Sequence, residues 1–304
     1  MKIFAPRYYK DFTCIADKCS HSCCIGWEID IDDKTMGRYS SLCGGYGDNI
    51  KKSIDTDGSP HFRLADRDRC PHLNDQGLCR IILELGEDYL CDICREHPRF
   101  YNDTLGGREV GLGIACEEAA RLVLSSDTYR DIVEVGDDGE DAYEMPFEIN
   151  AIAEREKIYA ILSDRSRPYN ERLRGIYAEL EVSADIMSDE EWREFFSSLE
   201  YLDTSHKELF SNYSSAIYED EANQEILERA LAYFIFRHCS SAYDKAELRS
   251  ALGFCLVCER LLSSLVRARG VRTAEETVPL AMAISEELEY SEDNTDSIKL
   301  EFQM

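Results

Sequence analysis

The stretch Cys14–Cys24, CIADKCSHSCC, places four cysteines within eleven residues. A chain of 304 residues can bury a core without covalent cross-links. Its opening, MKIFAPRYYK, lacks the basic segment and apolar run of a secretory signal. No window approaches the roughly 18 uncharged apolar residues that a membrane span needs. The expectation is a cytoplasmic protein, with no membrane partner, whose thiols stay reduced. Clustered cysteines in that setting bind metal or carry out redox chemistry instead of stapling the fold.

Ten of the thirteen cysteines lie between Cys14 and Cys116. After Cys14, Cys19, Cys23 and Cys24 come CPHLNDQGLC with Cys70 and Cys79, LCDICREHPRF with Cys91 and Cys94, and GIACEEAARLVL with Cys116. Soft thiolates select zinc or iron–sulfur clusters, and short spacings let one turn present two sulfurs to one ion. On a helix Cys19 and Cys23 would share a face while Cys24 pointed elsewhere, which leaves room for two sites. Lys18, Arg80 and Arg95 bring positive charge that favours thiolates, and Cys116 precedes a helix whose dipole does the same. The alternative is a set of buried inert thiols, but such thiols have no reason to come in pairs beside charged residues. Nine thiols could supply a cluster and a zinc together. The C-x3-C-x2-C pattern of radical enzymes that cleave S-adenosylmethionine fails, because Gly26 stands at its third position.

The rest of the chain is of a different kind. There are 61 acidic against 34 basic side chains, which disfavours nucleic acid as a partner, and most of the acid excess follows residue 125. The run Asp127–Glu144, with eight acids, predicts a solvated linker and a boundary near Glu144. Beyond it, EINAIAEREKIYAILSD, NERLRGIYAELEVSADIM and QEILERALAYFIFRHC space their apolar residues by three and four, as amphipathic helices do, and Ser188 precedes an acidic first turn as a cap. The expected fold is mainly α. An irregular cysteine-rich, metal-binding domain with a short strand or hairpin (1–126) is followed by an acidic linker (127–145), an all-α domain (146–289) and a loose tail (290–304).

In the cysteine-rich part GWEIDID alternates Trp27, Ile29 and Ile31 with acids, as a half-buried strand would. Calcium is set aside, because Thr35 stands where an EF-hand loop starting at Asp30 needs glycine and no glutamate closes that loop. CGGYGDNIKKS reads as a flexible turn and not a phosphate loop, since Ile50 occupies the second required glycine. GLG at Gly111–Gly113 has no expected strand before it and lacks the third glycine of a dinucleotide fingerprint.

The order C-x4-C-x3-CC, GWEIDID, CPHL…GLC, C-x2-C, HPRFY and ACEEAARLVL resembles the flagellin lysine-N-methylase family. It is also similar to the wider group of zinc- or iron-chelating proteins with a CxxCxxCC-type signature. The resemblance is dense from Cys14 to Leu124 and weaker in LAYFIFRHC. It implies methyl transfer from S-adenosylmethionine to lysine side chains of flagellin. It further implies that Cys14, Cys19, Cys23, Cys24, Cys70, Cys79, Cys91, Cys94 and Cys116 hold an iron–sulfur cluster, 4Fe-4S ahead of others, or zinc. A non-catalytic chelating or interaction module is the alternative. Cys43 matches nothing in the pattern.

Methyl transfer to lysine needs a neutral amine and a sulfonium positioned before reaction. His97 is the candidate base or ligand, with Arg99 and Tyr101 candidates for the same cleft; a solvated arginine and a packing histidine are the plainer alternatives. His72 is expected to orient a metal ligand and not to bind the metal itself. No residue is assigned to S-adenosylmethionine. Cys239, Cys255 and Cys258, with His238, could form a fourfold zinc set, but FCLVCERLL is strongly apolar and the core reading is preferred.

Overall fold

The computed structural model describes residues 1–26, 28–139, 147–183, 186–216 and 221–303, without the side chains of residues 221 and 222. The described fold is mainly helical, 54% helix against 11% strand. It separates into two compact units, Met1–Phe12 with Phe100–Met304, and Thr13–Arg99. These differ from the division expected at residues 126 and 145. The opening strand β1 (Lys2–Pro6) belongs to the helical unit and not to the cysteine-rich one, because it is an inner strand of that unit's sheet.

The cysteine unit is short on regular structure. It contains α1 (Asp33–Ser41), α2 (Gly45–Ser53), a two-residue pair of strands β2 (Ile54–Asp55) and β3 (His61–Phe62), α3 (Arg80–Leu85) and α4 (Asp92–Glu96). Its small core gathers Ile29, Ile31, Tyr39, Ile50, Phe62 and Ile81 around Cys70 and Cys91. Among the described residues of GWEIDID the expected strand does not form. Ile29 and Ile31 are buried and Glu28 and Asp30 exposed, as the alternation requires, but among the described residues of this stretch only Asp30 makes a bridge, to His61. Trp27 lies outside the described residues. CGGYGDNIKKS is no turn either: it is mostly α2, which buries Ile50 and follows Gly44 at φ +69°.

In the larger unit β1 lies parallel to β5 (Gly107–Leu112), which neighbours β4 (Arg99–Thr104); the sheet order is β4-β5-β1-β6. Strand β6 (Ile132–Asp137) falls inside the stretch expected to be a linker. It pairs antiparallel with β1 from Lys2↔Asp137 to Pro6↔Ile132, and Lys2 Nζ meets Glu134 at 2.8 Å. Its acids are therefore a strand's solvent edge. The boundary expected near Glu144 lies outside the described residues. Between β5 and β6 runs α5 (Glu117–Ser125), so a strand does lead through Gly111 toward a helix. That strand makes no nucleotide turn: a Cβ on Gly111 would lie 2.2 Å from the Phe100 ring, and the first turn of α5 is acidic.

The remaining helices are α6 (Ala151–Leu162), α7 (Tyr169–Glu179), α8 (Asp189–Ser198), α9 (Ser205–Phe210), α10 (Glu221–Cys239), α11 (Lys245–Arg269), α12 (Ala274–Ile284) and α13 (Glu292–Leu300). The expected loose tail is mostly α13, capped by Ser291 and burying Ile298. Helices α10 and α11 pack together at the centre of the unit. Two buried ion pairs cross it: Arg155 of α6 clasps Glu109 of β5 at 2.6 and 2.8 Å, and Arg172 of α7 meets Glu228 of α10 at 2.5 Å. Cys239, Cys255 and Cys258 are buried here in the helical core, with the Cys239 and Cys255 sulfurs 3.9 Å apart, and His238 Nε2 is bonded to Glu289 at 2.7 Å. That matches their reading as core.

Candidate functional site

Local structure places several of the thiols before any ligand is considered. In CPHLNDQGLC the side-chain Oδ1 of Asn74 accepts from the amides of Gln76 and Leu78, both at 2.9 Å, and Leu73 bridges Cys79. This tight loop delivers Cys70 and Cys79 from its two ends. Cys79 is the residue before α3 and Cys91 the residue before α4. The Cys70 amide donates to the Cys24 carbonyl at 2.8 Å, which joins the first cysteine group to the second.

Each of the thiols of Cys23, Cys24, Cys70, Cys79, Cys91 and Cys94 lies near enough to at least one of the others to sense its charge. Cys23 is exposed at the surface; its hydrogen bond with Cys24 is the main cause that pushes the thiol up to about 12, against a lowering contribution from His97. Burial pushes Cys70 up to about 11 although the His72 and Leu73 amides favour its thiolate, and burial raises Cys79 against the amides of Ile82 and Ile81. Cys94 is driven above the ordinary thiol range by its hydrogen bond with Cys91 and by burial. Cys91 falls below that range, because the bonds with Cys94 and Tyr39 outweigh burial. Neighbouring thiols with amides aimed at two of the sulfurs resist carrying many negative charges by themselves. That donor chemistry suits a thiophilic metal or an iron–sulfur cluster. Among the described residues no three His, Cys, Asp or Glu side chains stand converged on one point. None of the thirteen cysteines, all of them described, forms a disulfide.

Of the other expected ligands, Cys14 is exposed and Cys19 donates to the His21 carbonyl at 2.5 Å. Cys116 belongs to the larger unit, as the residue before α5. Cys43 is exposed just after the end of α1, its sulfur 3.7 Å from the Ser41 carbonyl. His97 ends α4, with its ring against Cys23. Arg99 reaches back to the Arg95 carbonyl at 3.4 Å, and Tyr101 is 47% exposed on β4 of the larger unit. His72 uses both ring nitrogens structurally, Nδ1 with the Tyr46 hydroxyl at 2.7 Å and Nε2 with Ser53 Oγ at 2.9 Å. Burial first, then Arg80, pushes its pKa down to about 4, so it is a neutral hub.

Sequence reasoning missed the element that fixes Cys91. Helix α1 is tied to every residue from Asp88 to Asp92. Arg38 donates to the Asp88 carbonyl, Tyr39 to the Tyr89 carbonyl at 2.7 Å and Thr35 to the Leu90 carbonyl at 3.5 Å. The Tyr39 hydroxyl also lies 3.6 Å from Cys91 Sγ. Asp32 completes the clamp: Oδ1 accepts from Thr35 N at 2.8 Å and Oδ2 from Asp92 N at 2.9 Å, so one carboxylate caps both α1 and α4. The signal in the sequence was an aspartate three residues before Thr35, hidden among acids that suggested calcium.

The comparisons bear on this chain through part of its length. No family model matches it, and no solved structure does. It is similar to curated proteins of Salmonella. One is the flagellar biosynthetic protein FliU of Salmonella muenchen, 29% identical over 128 residues that cover 40% of this chain and 75% of that protein. Two others are lysine-N-methylases, of Salmonella choleraesuis and Salmonella typhimurium. Each is 25% identical over 134 residues, 40% of this chain and 32% of the methylase. The chain thus spans about a third of each methylase it matches, and that distant likeness points toward the lysine-N-methylase family. No described helix is long and apolar enough to cross a membrane.

Proposed function

We propose that this protein is an S-adenosylmethionine-dependent lysine N-methyltransferase acting on flagellin, with a metal or iron–sulfur centre held by the thiols of its cysteine unit. The observation that carries the reading is the similarity to two lysine-N-methylases and to a flagellar biosynthetic protein. The six neighbouring thiols support it from the side of chemistry, since soft sulfur donors with N–H groups aimed at some of them are what a thiophilic centre requires.

In this reading Cys23, Cys24, Cys70, Cys79, Cys91 and Cys94 supply the inner ligands, and Cys14, Cys19 and Cys116 are further ligands by resemblance. A bound iron–sulfur cluster or zinc would compensate thiolate charge and fasten the short elements of the unit to each other. His97, beside Cys23, is the proposed base or additional ligand, and Arg99 and Tyr101 are proposed to face the substrate. A formal charge of −27 favours approach of lysine-bearing surfaces, an attraction that salt weakens. Incubation of the metal-loaded protein with flagellin and methyl-labelled S-adenosylmethionine tests the assignment. Label on flagellin lysines is expected. A metal-loaded protein that transfers none contradicts it and leaves a non-catalytic chelating module, which the short overlap with the methylases also suits.

A further inference from the structure

The Tyr39 hydroxyl carries one proton and faces two acceptors. It donates to the Tyr89 carbonyl at 2.7 Å and stands 3.6 Å from Cys91 Sγ. While Cys91 keeps its own S–H, that proton can go to the tyrosine oxygen and both groups are served. Once Cys91 gives up its proton to bind a metal, the phenol O–H becomes the one donor within this contact, and the sulfur competes with the carbonyl for it. The ring has no freedom to turn away. Tyr39 is fully buried, packs against Phe62 with centroids 6.0 Å apart, and is carried on a helix whose neighbours Arg38, Thr35 and Asp32 grip residues 88, 90 and 92.

We infer that Tyr39 is a positioning residue that hydrogen-bonds the metal-bound Cys91 sulfur and tunes its electron donation. The inference rests on the reading of the thiols as a metal centre. A hydrogen bond to a ligating sulfur withdraws electron density from it, which alters both affinity and the energy of sulfur-to-metal charge transfer.

The test is Co²⁺ titration of the apo full-length protein, reading the sulfur-to-cobalt charge-transfer band and the dissociation constant. Tyr39→Phe should move the band to longer wavelength and weaken Co²⁺ about 10-fold. Replacement of Tyr39 by 3,5-difluorotyrosine, a stronger donor of nearly the same shape, should move the band the opposite way, and it keeps the test open if the phenylalanine variant folds poorly. A role in packing alone would move neither band. Bands that stay put in folded, cobalt-loaded variants overturn the inference and leave the metal centre standing. A wild-type protein without any sulfur-to-cobalt band overturns the metal centre itself, and the inference with it.

Discussion

Asp32 Oδ2 accepts the amide hydrogen of Asp92 at 2.9 Å, sixty residues away in the chain, while Oδ1 of the same carboxylate accepts from Thr35. The two helices it caps carry Tyr39 and Cys94, with Cys91 the residue before the second, so one side chain sets their register. Burial alone would raise the Asp32 pKa, but the amides of Asp92 and Thr35 outweigh it and hold the group below the ordinary aspartate value.

Removal of that carboxylate should therefore loosen the cysteine unit without touching a thiol. Asp32→Ala forfeits two caps, a loss of about 1–2 kcal/mol. It should also release metal at lower chelator concentration, whereas Asp32→Asn, which keeps one acceptor, should fall between. Chelator competition on the purified variants reads this directly; Asp32→Ala with wild-type retention would show that the cap has no bearing on the centre.

The thiols themselves divide into testable sets. Serine in place of Cys70, Cys79, Cys91 or Cys94 should lower bound metal per chain, because each is a proposed ligand whose thiol is perturbed by a neighbouring one. Cys43→Ser should not, since Cys43 is exposed and its sulfur meets the Ser41 carbonyl at the end of its own helix. Cys258→Ala should cost stability, by removing buried volume, and leave metal content unchanged. Elemental analysis of the purified proteins distinguishes the three cases.

In the larger unit the clasp between Arg155 and Glu109 is almost wholly withdrawn from water, with side-chain exposures of 1% and 2%. Glu109→Ala leaves the guanidinium buried without its counter-charge, and an isolated buried charge costs about 3–5 kcal/mol. Chemical denaturation followed by a probe in this unit should show a loss of that order. A loss under about 1 kcal/mol would mean that water or another group replaces the carboxylate.

Glu259 predicts a pH dependence of stability. It is buried beside a small recess lined by Ser214, Ser215, Ser263 and Arg260, and accepts the Tyr169 hydroxyl at 3.0 Å. Burial lifts its pKa to about 7 from the ordinary 4.5, against the lowering contributions of Tyr169 and Arg260. The folded state thus binds a proton that the unfolded state releases between pH 4.5 and about 7. Stability from this group is full below pH 4.5 and is lost as pH rises to about 7, a change of about 3 kcal/mol. Glu259→Gln should flatten that part of the profile. An unchanged slope in the variant would assign it to other groups.

The helical part of the fold was legible because its signals are local. Apolar spacing marked α6, α7 and α10, and Ser188 does cap α8, with Glu191 returning the bond in a reciprocal box. The misreadings have a common cause in partners far off in sequence. Strand β6 looked like an acidic linker because its mate is β1, and Glu134 needs Lys2 to make sense. The burial of Ile29 and Ile31 was readable as alternation, but among the described residues no neighbouring strand extends the pairing beyond one bridge at Asp30. At the candidate site the cysteines announced themselves by residue type. Tyr39 and Asp32 did not, because their roles exist only once residues 88–92 lie against α1.

The most direct test of the proposed activity is the intact mass of flagellin from cells producing this protein, compared with cells producing its Cys91→Ser, Cys94→Ser variant. Methyl-sized increments on flagellin from the first cells and none from the second are the expected result. Flagellin of unmodified mass in cells that contain abundant, metal-loaded wild-type protein would contradict the methyltransferase assignment.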